Sequence, residues 1–270
     1  MPDFPDELEK ILAAVASGAL SPPAAADRLR SGEVRYLDEF AVLDLGRQVR
    51  KGAPEVVYAP GKTPATVARI CEALLASSER VIVSASSPEV TAEIRRYLPD
   101  VPVRNAGRAL VVGSGEPTPS GGRVGAISAG TSDVPVLEEA VAVAGEMGAA
   151  IRSFHDVGVA GIHRLAAPLE ELRSFDPDCL IVAAGMEGAL PSVVASLASV
   201  PVIGLPTSTG YGLGGDGTAA ILGMLQSCSP GLSVVNVDNG VGAGVTAALV
   251  ANRAALGRAG EVWESSTDHG

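Results

Sequence analysis

Lysine is nearly missing from this chain. Only Lys10, Lys51 and Lys62 occur among 270 residues, so the C-terminal half has no Schiff-base lysine and no phosphate-loop lysine. Residues 121–270 carry six Lys and Arg against 15 Asp and Glu. So acidic a surface lacks the clustered cations that displace counterions from a polynucleotide, which excludes nucleic acid as a partner. Cysteine is also scarce. Cys71, Cys179 and Cys228 form no CxxC pair and no even-numbered set, so neither a disulfide framework nor a zinc site is expected. No signal-peptide layout opens the chain. The uncharged stretch Gly188–Gly215 is broken by Pro191, Pro201 and Pro206, and no Lys or Arg stands between Ser174 and Asn252 to orient a membrane span. The expectation is a cytoplasmic protein with no membrane partner.

What is present is small and aliphatic. Hydrophobic residues make up 47% of the chain and aromatics only 3%, which suits closely packed α/β layers. Glycine, at 32 residues, is about 12% against a usual ~7%.

The first ~50 residues read as helical. Leu8, Ile11, Leu12 and Val15 share one helical face, with Gly18 as a stop, and Ser21-Pro22 starts a second helix that ends near Gly32. A small α/β unit follows, with strands at 55–59, 80–85 and 109–113. Its helices open at Thr63-Pro64 and Ser87-Pro88. The stretch GSGEPTPSGG (113–122) has linker composition. It divides an N-terminal helical and small α/β domain, 1–116, from a catalytic domain, 117–270. In the second domain, strand-like runs at 123–128, 149–154, 179–184, 201–205 and 233–237 alternate with helical segments near 134–147, 161–173, 189–199, 217–226 and 241–256. That alternation predicts a five-stranded parallel, doubly wound sheet of flavodoxin-like type. Ligands of such sheets bind beyond the carboxyl ends of the strands. There the chain places SAGTSD (128–133), HDVG (155–158), AGMEGALP (184–191), PTSTGYGLGGDG (206–217) and DNGVGAG (238–244).

Gly130, Thr131, Ser132 and Asp133 follow a strand and open a helix. This is a geometry for seating a phosphate with a carboxylate near a ribose hydroxyl, and equally for a plain capped helix start. Glu187 stands between two glycines in apolar surroundings, where an isolated carboxylate needs a partner or a task. His163 reads as a structural hydrogen-bonder or a catalyst. Arg152 and Arg164 are scarce cations, and an anionic nucleotide needs one of them or a metal. Cys71 and Cys179 fall in apolar helix and strand positions and read as inert core. Cys228, in MLQSCSPG, is a turn thiol or a nucleophile.

GTSDVPVLEEA, DVGVAGIHRL, AAGMEGALPSVVA, PVIGLPTSTGYG, LGMLQSCSPG and VNVDNGVGAG, with APEVVYAPGKTP (53–64) upstream, together resemble the LarB family. That family makes pyridinium-3,5-biscarboxylic acid mononucleotide, the first intermediate of the nickel-pincer nucleotide cofactor. More distantly, the second domain resembles PurE-type aminoimidazole ribonucleotide carboxylases. Their phosphate-binding GSxSD matches Gly130–Asp133 and their HLPG loop matches the region of Glu187–Pro191. Their AHRTP is not reproduced, and FHDVG stands here instead.

The resemblance implies carboxylation of nicotinic acid adenine dinucleotide by CO2, followed by phosphoanhydride hydrolysis to the mononucleotide and AMP. The family's cysteine matches Cys228, as the thiolate of a transient cysteinyl-pyridine adduct. Its active-site glutamate matches Glu187, with proton removal and water positioning as the two candidate roles. Implied substrate contacts are Gly130, Thr131, Ser132, Asp133, Asp156, His163, Arg164, Gly185, Met186, Gly188, Thr207, Ser208, Gly210, Tyr211, Asp238 and Asn239. The resemblance also implies Mg2+, with unassigned ligands and no organic cofactor, and a homo-oligomer, octameric as in PurE-like assemblies. Two other readings remain: a PurE-like carboxylase or mutase acting on an imidazole ribonucleotide, and a non-catalytic nucleotide sensor.

Overall fold

A hydroxyl residue followed by proline starts two helices of the N-terminal unit, because the hydroxyl caps a free N–H and proline has none to satisfy. The computed structural model describes residues 4–25, 34–37, 41–44, 47 and 51–260. It divides into one unit of Met1–Asn105 with Ala109–Thr118, and a second of Ala106–Arg108 with Pro119–Gly270.

In the first unit α1 spans Phe4–Ala16 and stops at Gly18, in the left-handed region at φ +76°. The Ser21 hydroxyl accepts the Ala24 N–H at 3.4 Å. The expected end of that second helix near Gly32 lies outside the described residues. The helical reading of the first ~50 residues fails further on: β1 (Val34–Leu37) and β2 (Ala41–Asp44) pair antiparallel. Val34, Tyr36 and Val42 in these short runs are residue types that favour strands. Then come β3 (Val56–Tyr58), α2 (Pro64–Leu75), β4 (Arg80–Ser84), α3 (Pro88–Tyr97), β5 (Val103–Ala106) and β6 (Ala109–Gly113). Thr63 and Ser87 cap α2 and α3 through the Thr66 and Val90 N–H groups. The sheet runs β3-β4-β6-β5, with β3 parallel and β6 antiparallel to β4. Val67, Ile70, Val83, Ile94 and Val112 fill its core. Sequence reading had not marked β5, an edge strand whose middle residues Arg104 and Asn105 are exposed.

The second unit holds β7 (Arg123–Ser128), α4 (Val134–Glu146), β8 (Ala150–Phe154), α5 (Ala166–Phe175), β9 (Cys179–Ala184), α6 (Ala189–Leu197), β10 (Val202–Pro206), α7 (Thr218–Leu225), β11 (Leu232–Val234) and α8 (Gly240–Arg258). The sheet is five-stranded, in the order β11-β10-β9-β7-β8, and every pairing is parallel. The doubly wound α/β expectation is met. β9 is buried along its whole length, as a central parallel strand covered on both faces must be. One face packs Val136, Leu137 and Ala140 of α4 with Ala243, Ala247 and Ala251 of α8. The other packs Leu172, Leu190, Val194 and Met224. Each such fully buried Leu or Val contributes roughly 1.5–3 kcal/mol. At the amino edge Arg258 and the Arg123 N–H both bind the Asp178 carboxylate, which fastens the end of α8.

Strand order reverses between β7 and β9, and the crevice at their carboxyl ends is where such sheets take ligands. The helix expected from 161 starts only at Ala166. Residues Val159–Leu165 form tighter turns, broken at the extended Gly161. Among the described residues no helix is long and apolar enough to cross a membrane.

Candidate active site

β7 ends at Ser128, and the chain turns through Gly130 into a single tight turn, Thr131–Asp133, before α4. Asp133 is only 4% exposed. Its Oδ2 accepts the Gly130 N–H at 2.8 Å, and its Oδ1 accepts the Thr207 hydroxyl at 2.6 Å. Both oxygens therefore hold the loop, and the carboxylate positions the Gly130–Ser132 backbone. The hydroxyls of Thr131 and Ser132 are left exposed at the mouth.

Gly185 follows β9 at the switch point. A Cβ there would stand 2.1 Å from the Thr209 carbonyl oxygen and 2.8 Å from the Thr207 hydroxyl, so only glycine lets the β9 and β10 loops meet this closely. The Met186 N–H donates to that Thr209 carbonyl at 2.8 Å, and the Thr209 hydroxyl reaches the Ser132 carbonyl at 3.4 Å. Met186 is held at φ +50°, an uncommon left-handed setting for a long side chain. Gly188, at φ +66°, opens α6. The loops after β7, β9 and β10 thus form one connected rim.

The rim continues through Ser208, whose N–H and hydroxyl bind the two oxygens of Asp238 at 2.9 and 2.7 Å. Arg108 Nη1 pairs with Asp238 Oδ2 at 3.3 Å. Asn239 caps α8 by accepting the Gly242 N–H. Past β8, Arg164 pairs with Asp156 at 3.0 Å and also donates to its carbonyl. His163 is exposed in the same turn. His155 stands between the Ser128 hydroxyl, 3.5 Å from Nδ1, and Glu138, 3.4 Å from Nε2. Arg152 lies elsewhere, with its guanidinium over the Phe175 ring. It lines a cavity of about 680 Å³ with Glu170, Glu171 and Ser174, over β8 and α5. That open depression carries none of the strand-end residues.

Glu187 is exposed on the rim and, among the described residues, hydrogen-bonds to no side chain. Burial therefore cannot be the reason for a carboxylate here, contrary to the argument from its apolar neighbours. Gly210 and Tyr211 are also exposed. Cys228 lies apart from this network, in the connection from α7 to β11. It is exposed, whereas Cys71 and Cys179 are buried and burial pushes both of their thiols up to about 12. Burial disfavours the reactive thiolate form of Cys71 and Cys179, whereas Cys228 is the one thiol open to solvent. Ser229, beside it, donates to the Ser192 carbonyl at 2.8 Å and ties the connection to α6.

Sequence reading missed Thr209 and Arg108. Thr209 acts mainly through its carbonyl, which any residue has. Arg108 lies in the turn between β5 and β6, far in sequence from every glycine-rich loop.

Comparison with known proteins fits this geometry. A family model described as AIR carboxylase matches residues 123–267, and one described as LarB/PurE-like N-terminal domain matches residues 35–114. A protein of Methanocaldococcus jannaschii described as uncharacterized is 40% identical over 253 residues, covering 90% of this chain and 96% of that relative. An N5-carboxyaminoimidazole ribonucleotide mutase from the same organism is 36% identical over 121 residues, 44% of this chain and 70% of its own. The mutase of that name from Thermotoga maritima is 30% identical over 135 residues, 47% of this chain and 74% of its own.

Proposed function

Because the chain belongs to the LarB family and carries a PurE-like domain of the carboxylase/mutase kind, we propose that it is a pyridinium-3,5-biscarboxylic acid mononucleotide synthase. Nicotinic acid adenine dinucleotide, CO2 and water would give the dicarboxylated mononucleotide and AMP. The observation that carries this reading is the contrast among the cysteines, with one exposed thiol against two that burial keeps protonated.

A pyridinium ring is too electron-poor to attack CO2. Addition of the Cys228 thiolate para to the ring nitrogen places an electron pair in the ring and makes a dihydropyridine. Its carbon next to the adduct then forms the bond to CO2. Loss of the proton from that carbon and expulsion of the thiolate restore the aromatic ring and the free cysteine. Glu187, unencumbered on the rim, is suited to take that proton or to orient the water that cleaves the anhydride. In the Gly130–Ser132 turn, Thr131 and Ser132, both exposed, offer hydroxyls and backbone N–H groups to a phosphate. Asp133, Thr207 and Thr209 keep that turn in place. Among the described residues no group of three or more His, Cys, Asp or Glu is placed to hold Mg2+, and no step above passes through it.

The test is incubation with nicotinic acid adenine dinucleotide, bicarbonate and Mg2+, with products read by mass spectrometry. A mass gain of one CO2 on the mononucleotide, with AMP released, is the expected result. The mutase relatives favour a second reading, a carboxylase or mutase acting on an imidazole ribonucleotide. That chemistry needs no thiol, so it predicts that Cys228→Ser stays active. A nucleotide sensor would bind ligand and release no AMP.

A further inference from the structure

Gly107 and Arg108 belong with the second unit, and their backbone is fixed against the start of α4. Gly107 has φ +61°, and a Cβ there would stand 2.2 Å from the Pro135 carbonyl oxygen and 2.7 Å from Glu138 Cβ. The Arg108 N–H donates to that same carbonyl at 3.1 Å. Pro135 lies two residues beyond Asp133, so Arg108 is anchored beside the turn that would seat a phosphate. Its side chain, 32% exposed, reaches Asp238 through Nη1.

The pairing differs from a structural clamp. Arg258 grips Asp178 with both terminal nitrogens, whereas Arg108 has only the single 3.3 Å contact. Among the described residues its Nη2 and Nε have no partner. Asp238 does not need the arginine, since Ser208 already donates to both of its oxygens. An open guanidinium edge is a two-pronged donor for a planar pair of oxyanion oxygens. Three other arginines of this unit are placed for other tasks: Arg123 pairs with Asp176, Arg152 covers Phe175, and Arg164 pairs with Asp156. In a unit this acidic, a cation beside the rim is also the strongest available attraction for a phosphorylated ligand.

We propose that Arg108 is an oxyanion-binding residue of the strand-end site and takes a phosphoryl group of the nucleotide. Asp238 holds it in readiness through a single ion-pair contact. This rests on the strand-end loops forming the nucleotide site, and not on which base the nucleotide carries.

The experiment uses inorganic pyrophosphate as the probe, titrated by calorimetry into the full chain at low salt without CO2. Wild type should bind it, more weakly as salt rises. Arg108→Gln should bind at least tenfold more weakly with a flattened salt dependence, and Arg108→Lys should fall between the two. No binding by wild type, or Arg108→Gln within twofold of it, would overturn the assignment. If Arg108→Gln lowers the unfolding midpoint, Asp238→Asn decides. Removing the competing carboxylate should tighten pyrophosphate binding, while a purely structural pair would weaken it. Pyrophosphate binding without turnover of nicotinic acid adenine dinucleotide would sink only the substrate reading. Turnover with Arg108→Gln unchanged in affinity and KM would sink only the role of Arg108.

Discussion

The Thr207 hydroxyl donates to Asp133 Oδ1 at 2.6 Å, and the other oxygen of that carboxylate accepts the Gly130 N–H at 2.8 Å. Thr207 is fully buried and Asp133 nearly so. Two strand-end loops that are 74 residues apart in the chain are thus joined by one buried acceptor, at the point where the strand order reverses.

Asp133→Ala should therefore weaken the protein as well as the site. It strands a hydroxyl and an N–H, at about 1–3 kcal/mol for each group left without a partner. Substrate affinity should fall by at least ~1.5 kcal/mol as the turn loosens. Denaturant unfolding reads the first effect and calorimetry the second. Unchanged affinity in a folded variant would remove this turn from the site.

Glu187→Gln should behave in the opposite way. The side chain is exposed and bonds to no other side chain among the described residues, so stability should stay within about 0.5 kcal/mol of wild type. Most turnover should vanish, because the proton-accepting oxygen is gone while the shape remains. Near-normal rates across several pH values would show that the carboxylate has no part in the chemistry.

The second unit was legible in the sequence because its signals are local. β9 and β10 are apolar runs closed by Gly185 and Pro206, and α4 and α6 open within a few residues of the strands before them. The strands expected at 123–128 and 179–184 match β7 and β9 residue for residue. β1 and β2 were missed because four-residue strands give too short a period to outweigh the helical pattern before them. The site was legible only as a set of loops. That Asp133 turns inward to Thr207, and that Arg108 stands beside Asp238, are facts of tertiary packing that no window of neighbouring residues encodes. The isolation of Glu187 misled for the same reason: apolar neighbours in sequence did not mean burial in space.

Alkylation separates the three cysteines. Thiols pushed up to about 12 by burial are deprotonated to roughly one part in ten thousand at pH 8, and the thiolate is the reacting form. Iodoacetamide should therefore label native protein once, at Cys228, and denatured protein three times, as mass spectrometry of the peptides would show. Labelling of Cys71 or Cys179 in the native protein at a comparable rate would contradict their burial and undo the contrast on which the nucleophile assignment rests.

The position of Cys228 leads to the last expectation. Asp133 and Glu187 follow β7 and β9, at the carboxyl edge of the sheet. Cys228 follows α7 and leads into β11, and the Val202 N–H at the start of β10 bonds the Gly231 carbonyl just after it. A helix-to-strand connection of this kind serves the amino edge. Yet the adduct requires the sulfur within ~3–3.5 Å of the ring. A neighbouring copy that presents its Cys228 to this rim would reconcile the two requirements. The exposed leucines Leu213, Leu222 and Leu225 around α7 give such a copy an apolar surface to cover. In a closed symmetric assembly every site would then combine two chains. Cys228→Ser and Glu187→Gln proteins, each inactive alone, should regain on the order of a quarter of wild-type activity when subunits exchange at random in equal amounts, because one site in four draws both intact residues. Absence of recovery despite exchange confirmed by native mass spectrometry would place Cys228 and Glu187 in the same chain's site.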